Sequence, residues 1–65
     1  MILFLNLTEA VIAARAEGEP TDDPEEVAQR IAQLQGTTLE EVLAWRPLEA
    51  IRMTILMLDV VLTPP

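Results

Sequence analysis

The sequence predicts an all-α fold, a small bundle of three to four short helices in one domain spanning residues 1–65. Polar residues followed three positions later by glutamate mark helix starts along the chain, and apolar residues recur at helical spacing. In addition, 51% of the residues are hydrophobic, more than so short a chain can bury. Without cysteine or histidine, disulfide bridges and zinc cannot reinforce the fold, so we expect homo-oligomerisation to close it.

The first helix is predicted to begin after Asn6, which can form a capping box with Glu9. We expect it to stop at Gly18, with Pro20 behind it. Its apolar positions are Leu7, Ala10, Val11 and Ala14. An alternative for the run before it, residues 1–7, is an edge strand that pairs between subunits, because a short apolar run does not distinguish helix from strand.

A second helix is predicted from Pro24 to Gln35, with Asp23 as its cap and Glu26 completing a second capping box. We expect Arg30 to face solvent, and Gly36 to end the helix in a left-handed conformation. The predicted buried stripe is Val27, Ile31 and Leu34.

Thr38 and Glu41 predict a third, short helix over Leu39–Trp45, and Pro47 suits the first turn of a fourth. One apolar stripe of the fourth helix comprises Leu48, Ile51, Ile55, Leu58 and Leu62, and a second apolar set comprises Met53, Leu56, Met57, Val60 and Val61. Because it is apolar nearly all round, we expect this helix to be surrounded by protein.

The charge balance argues against several classes of function. Eleven acidic residues stand against four arginines and no lysine, a formal net charge of −7, so nucleic acid should be repelled. The apolar run MTILMLDVVL is ten residues long, about half of what a membrane span needs. The N-terminal run MILFLNL lacks the basic flank of a signal peptide. We therefore expect a soluble, cytoplasmic protein.

No residue pattern predicts catalysis, a metal site or a cofactor. The chain has no Cys, His, Lys or Tyr from which to build a nucleophile–base pair, and the acidic run EGEPTDDPEE lacks the spaced ligands of a calcium loop. Asp59 stands alone in the apolar last helix. We expect it to lie on a solvent-facing edge or to pair with Arg52 or with an arginine of a neighbouring subunit.

Trp45 has two interpretations, a core corner between the third and fourth helices or an anchor for a partner. Met53 and Met57 likewise suit either core packing or an adaptable binding face. The residues predicted to bind a partner or to form an oligomer interface are Trp45, Leu48, Ile51, Met53, Ile55, Met57, Leu58 and Leu62.

The segment Val27 to Leu62, VAQRIAQLQGTTLEEVLAWRPLEAIRMTILMLDVVL, resembles the carboxy-terminal half of small tail assembly chaperones of long-tailed phages, the family of the Mu-type tail assembly protein. The shared features are Gly36 after a helix, Thr38 with Glu40 and Glu41 as a cap, Trp45, and a hydrophobic last helix from Leu48. The chain is shorter than members of that family, and it carries Glu49 where they usually have aspartate.

The resemblance implies a non-enzymatic adaptor that shields an apolar client, such as a tape measure protein, until a phage tail assembles. The alternative function is a structural or regulatory small homo-oligomer, antitoxin-like or polymerase-binding. An apolar groove left open would favour the chaperone, and complete burial of the fourth helix in a homo-oligomer would favour the alternative.

Overall fold

The computed structural model describes residues 4–62, with the backbone alone for Val61 and Leu62. This part of the chain contains four helices. They are α1 (Leu7–Arg15), α2 (Pro24–Gln35), α3 (Leu39–Trp45) and α4 (Leu48–Leu62). Within residues 4–62 there is no strand, so the prediction of an all-α fold is confirmed there. Phe4 to Asn6 form bends before α1, and residues 1–3 of the possible edge strand lie outside the described residues.

The helix starts follow the predicted caps, with one change. Asn6 Oδ1 accepts the N–H of Glu9 at 2.9 Å, and Thr38 Oγ1 accepts the N–H of Glu41 at 3.2 Å. At α2, however, Asp23 Oδ1 accepts the N–H of Glu25 at 3.1 Å. The predicted partner in that box, Glu26, instead accepts hydrogen bonds from Thr21 and Arg30.

The end of α2 agrees with the prediction, whereas the end of α1 and the start of α4 differ slightly from it. Gly36 caps α2 at φ +68°, the left-handed conformation expected of it. α1 ends at Arg15, ahead of Gly18, which nevertheless adopts φ +72° in the loop that follows. Pro47 lies just before α4 rather than in its first turn, and its carbonyl accepts the N–H groups of Ala50 and Ile51 at 3.0 and 3.2 Å.

The core forms around α2, which contacts each of the other three helices, while α1 also packs on α4. Buried alanines lie on both α1 and α2. The buried residues are Ala10, Val11, Ala14, Val27, Ala28, Ile31, Ala32, Val42, Ile51 and Ile55. Among its side chains that the structure describes, through Val60, α4 supplies two of these ten, so much of its described apolar surface remains outside the core of the single chain.

Arg30 does not face solvent as predicted. Its side chain is 15% exposed and folds back over the end of α1, where Nη1 donates to the carbonyl of Ala14 at 3.3 Å. Nη2 pairs with Glu26, one turn earlier on α2, at 3.1 Å. The carbonyl of Ala14 also accepts the N–H of Glu17 at 3.1 Å, so Arg30 adds a second hydrogen bond there and joins the two helices.

Candidate protein-binding face on the last helix

An uncovered apolar stripe runs along α4. We call it the α4 face, and it consists of Met53, Leu56, Met57 and Val60. These side chains are 49%, 48%, 61% and 77% exposed, respectively. Their spacing of three, four and seven residues places them on one side of the helix. Together they line a shallow depression of about 270 Å³ with no polar residue in its wall.

The face exists because α4 carries more apolar residues than one side can bury. Ile51 and Ile55 point into the core, with 0% and 2% exposure, and Leu58 packs partly against it. The α4 face lies on the opposite side, where none of the other three helices covers it. The expectation that α4 is surrounded by protein is therefore not met within the single chain.

Charged pairs of opposite sign border the α4 face: Arg52 and Asp59 lie along one edge, and Glu49 continues the stripe one turn before Met53. Arg52 Nε donates to Glu49 at 3.2 Å, and the hydrogen bond from the guanidinium lowers the pKa of the Glu49 carboxyl. Two turns further on, Asp59 pairs with Arg15 of α1 at 3.0 Å. The groups beside the face therefore sum to no net charge, although the chain as a whole carries −7.

Arg15, and not Arg52, is the partner that the structure provides for Asp59. Arg52 is committed to Glu49, three residues before it on the same helix. Arg15 reaches Asp59 because α1 packs on α4, and it also contacts Asp22 in the α1–α2 loop at 3.1 Å. The sequence could not reveal this pair, since it joins residues 44 positions apart.

The residues predicted to contact a partner fall in three environments. Met53 and Met57 lie on the α4 face, and Leu48 is 38% exposed at the start of α4. Ile51 and Ile55 are in the core, where a partner reaches them only if the chain opens, and Leu58 is half-buried. The side chain of Leu62 lies outside the described residues.

Trp45 packs partly against the core at the end of α3. The guanidinium of Arg46 lies over its ring, 4.9 Å from the centroid, and Arg46 Nη1 donates to the carbonyl of Trp45 at 2.8 Å. Its half-buried position is closer to the core-corner interpretation than to a freely presented anchor.

Leu56 and Val60 belong to the face but not to the residues predicted to bind. Their spacing relative to Met53 and Met57 was the available signal, because all four share one helical stripe. Sequence alone does not tell which of two apolar stripes on a helix enters the core.

Other concave surfaces include polar residues in their walls, unlike the depression on the α4 face. A groove of about 650 Å³ lies beside α1, and a cleft of about 310 Å³ lies between α1 and the end of α4. The groove is lined by Phe4, Asn6, Thr8, Glu9, Ile12 and Ala13, and the cleft by Ile12, Arg15, Ala16, Pro20, Leu58 and Asp59. Among residues 4–62, no group of three or more acidic side chains is arranged to hold a metal ion.

Comparison of the chain with protein-family models, curated proteins and solved structures finds no match. Within its described residues, no helix combines the length and the apolar character that crossing a membrane requires.

Proposed function

We propose that the protein is a non-enzymatic, cytoplasmic protein-binding adaptor that holds an apolar helix of a client on the α4 face. The observation that carries this proposal is the exposure of four large apolar side chains in one stripe. Scattered exposed apolar residues are ordinary, whereas a contiguous stripe on one helix is typical of an interaction surface.

A helix is the client element that suits this surface best. From Met53 to Val60 the stripe extends over two turns, roughly 10 Å, and its three- and four-residue spacing matches the anchors of helix-in-groove recognition. Both methionines adapt their shape, so the face can accept apolar side chains of more than one size.

The resemblance of Val27 to Leu62 to Mu-type tail assembly chaperones supports a particular client. By that resemblance, the adaptor would shield a phage tail structural protein, such as a tape measure, before the tail assembles. The acidic remainder of the surface would keep the complex soluble and discourage binding to nucleic acid.

The alternative function, a structural or regulatory homo-oligomer, uses the same apolar stripe with a different occupant. The charges that border the α4 face sum to zero, so two copies can approach there without local repulsion, which favours this alternative. A client that binds the folded protein distinguishes the two functions.

The test is affinity capture from the native source with three forms of the protein: wild type, Leu56→Glu and Gln29→Glu. Leu56 is on the α4 face, while Gln29 is an exposed residue of α2, so both variants gain one carboxylate but only one alters the face. We expect wild type and Gln29→Glu to recover a tail structural protein and Leu56→Glu to lose it.

Equal recovery by the folded Leu56→Glu variant would exclude the α4 face as the client site. Recovery of no tail protein by any form, from a source that produces one, would contradict the chaperone function.

A further inference from the structure

We infer that, in the absence of a client, the α4 face of one copy packs against the α4 face of a second copy, with the two helices antiparallel. This inference rests on the proposed function only in using the same face. It adds a regulatory partner, because a client must displace the second copy before it can bind.

The apolar residues are complementary in the antiparallel arrangement. With the two-fold axis between Leu56 and Met57, Met53 of each copy lies opposite Val60 of the other. Leu56 then lies opposite Met57 of the second copy. Each contact pairs a methionine with a shorter side chain, valine or leucine, which favours interdigitation of the two stripes.

The charges on the edge select the antiparallel orientation. Arg52 and Asp59 are seven residues apart, two helical turns, and therefore lie on the same edge of the face. In an antiparallel pair, equivalent edges meet, so Arg52 of each copy approaches Asp59 of the other. Because Glu49 pairs with Arg52 and Arg15 with Asp59 within each chain, the contact joins groups of alternating sign.

A parallel pair lacks these contacts. Glu49 lies one turn before Met53 and continues the stripe, so two parallel copies would bring their Glu49 carboxylates together at the same height. Arg52 would face the opposite edge of its partner, where the described residues are Ala50 and Thr54.

The same charges favour a second copy over a highly charged client helix as the partner of the α4 face. The two acidic and two basic groups that border the α4 face add no net attraction for a basic or an acidic helix there, but their arrangement matches its own rotated image. The interface is small, two turns of helix on each side, so we expect a dissociation constant of roughly 10–100 µM, typical of a transient contact.

Sedimentation of the purified wild-type protein from about 5 µM to about 1 mM tests the inference, since this range brackets the expected constant. We expect a monomer–dimer equilibrium, weakened at least tenfold by Leu56→Glu and unchanged by the control Gln29→Glu. Circular dichroism verifies that both variants keep their helices, as the exposure of both positions predicts.

Orientation is tested by cysteine pairing, since the chain has no native cysteine. A mixture of Met53→Cys and Val60→Cys should form a disulfide-linked heterodimer, whereas Met53→Cys alone should remain largely uncrosslinked. Preferential crosslinking of Met53→Cys to itself would overturn the antiparallel arrangement.

A wild-type protein that stays monomeric to about 1 mM would overturn self-association and leave client binding intact. A dimer insensitive to Leu56→Glu would overturn the inference by locating the contact elsewhere. If the dimer behaves as expected but no client is captured, the proposed function fails while this inference stands.

Discussion

Replacing Gly36 by the two mirror forms of alanine isolates the energy of one left-handed residue. Gly36 adopts φ +68° at the end of α2, where the N–H of Thr37 donates to the carbonyl of Ala32 at 2.9 Å. A Cβ of L-alanine added there meets no atom of the surrounding fold within 4 Å, so Gly36→Ala creates no clash with the rest of the fold. Its cost is therefore one of backbone conformation, which D-alanine does not incur.

The expected free energies of unfolding follow from this geometry. For L-alanine, the left-handed conformation destabilises the folded state by about 1–2 kcal/mol. The unfolded chain also has less conformational freedom than with glycine, which offsets about 0.4–1 kcal/mol of this loss. Gly36→Ala should therefore destabilise the protein by roughly 1 kcal/mol. D-alanine prefers positive φ, so it avoids the cost and should stabilise by about 0.4–1 kcal/mol.

Urea unfolding of the three synthetic chains, followed by circular dichroism, measures these differences at a concentration where the protein is monomeric. The two alanine forms have the same composition and the same exposed methyl group, so hydration largely cancels between them. Equal stability of the L and D forms would show that α2 does not end in a left-handed residue, and would refute the reasoning.

Three further predictions concern the core and its edge. Ile55→Ala should lower the free energy of unfolding by about 2–5 kcal/mol in thermal or urea melting, enough to unfold much of so small a domain. Met57→Ala on the exposed face should lower it by under about 1 kcal/mol. Equal losses would contradict the burial of Ile55 in the core. Trp45→Ala should cost about 2 kcal/mol by urea unfolding, less than a fully buried tryptophan, and a protein of unchanged stability would restore the partner-anchor interpretation. A double-mutant cycle of Arg15→Ala and Asp59→Ala should give a coupling of roughly 0.5–1 kcal/mol in urea unfolding, and zero coupling would mean that solvent screens the pair completely.

The helices were predictable because their signals are local. Asn6, Asp23 and Thr38 each act on backbone groups two or three residues away, and Gly36 acts through its own φ. Proline before α4 is equally local, although its position relative to the helix start differs by one residue from the prediction. Such features depend on the covalent neighbourhood, which the sequence contains in full.

The arrangement of the helices was not predictable in the same way. Arg30 was expected in solvent, but α1 places the carbonyl of Ala14 within its reach. Asp59 was expected to lie on a solvent-facing edge or to pair with Arg52 or between subunits; its side chain is 42% exposed, and α1 brings Arg15 to it. Both contacts depend on how helices distant in sequence pack, and no spacing rule encodes that.

The candidate site shows the same limit. Apolar residues on both sides of α4 were evident from the sequence, and they indicated a surface in need of cover. Which side enters the core depends on the shapes of α1 and α2, and the structure selects Ile51 and Ile55. Methionine at positions 53 and 57 is thereby left outside, together with Leu56 and Val60.

The distribution of charge explains how an acidic chain can keep such a surface available for binding. Six of its eleven carboxylates lie between Glu17 and Glu26, in the α1–α2 loop and the first turn of α2. The helix dipole stabilises the carboxylates in the first turn of α2. All six carboxylates are exposed, so the cost of desolvating them is small. Paired charges instead border the α4 face, Glu49 with Arg52 and Asp59 with Arg15. Long-range repulsion therefore discourages non-specific aggregation of the whole surface, while the neutral edge leaves the apolar stripe approachable by a partner of matching shape.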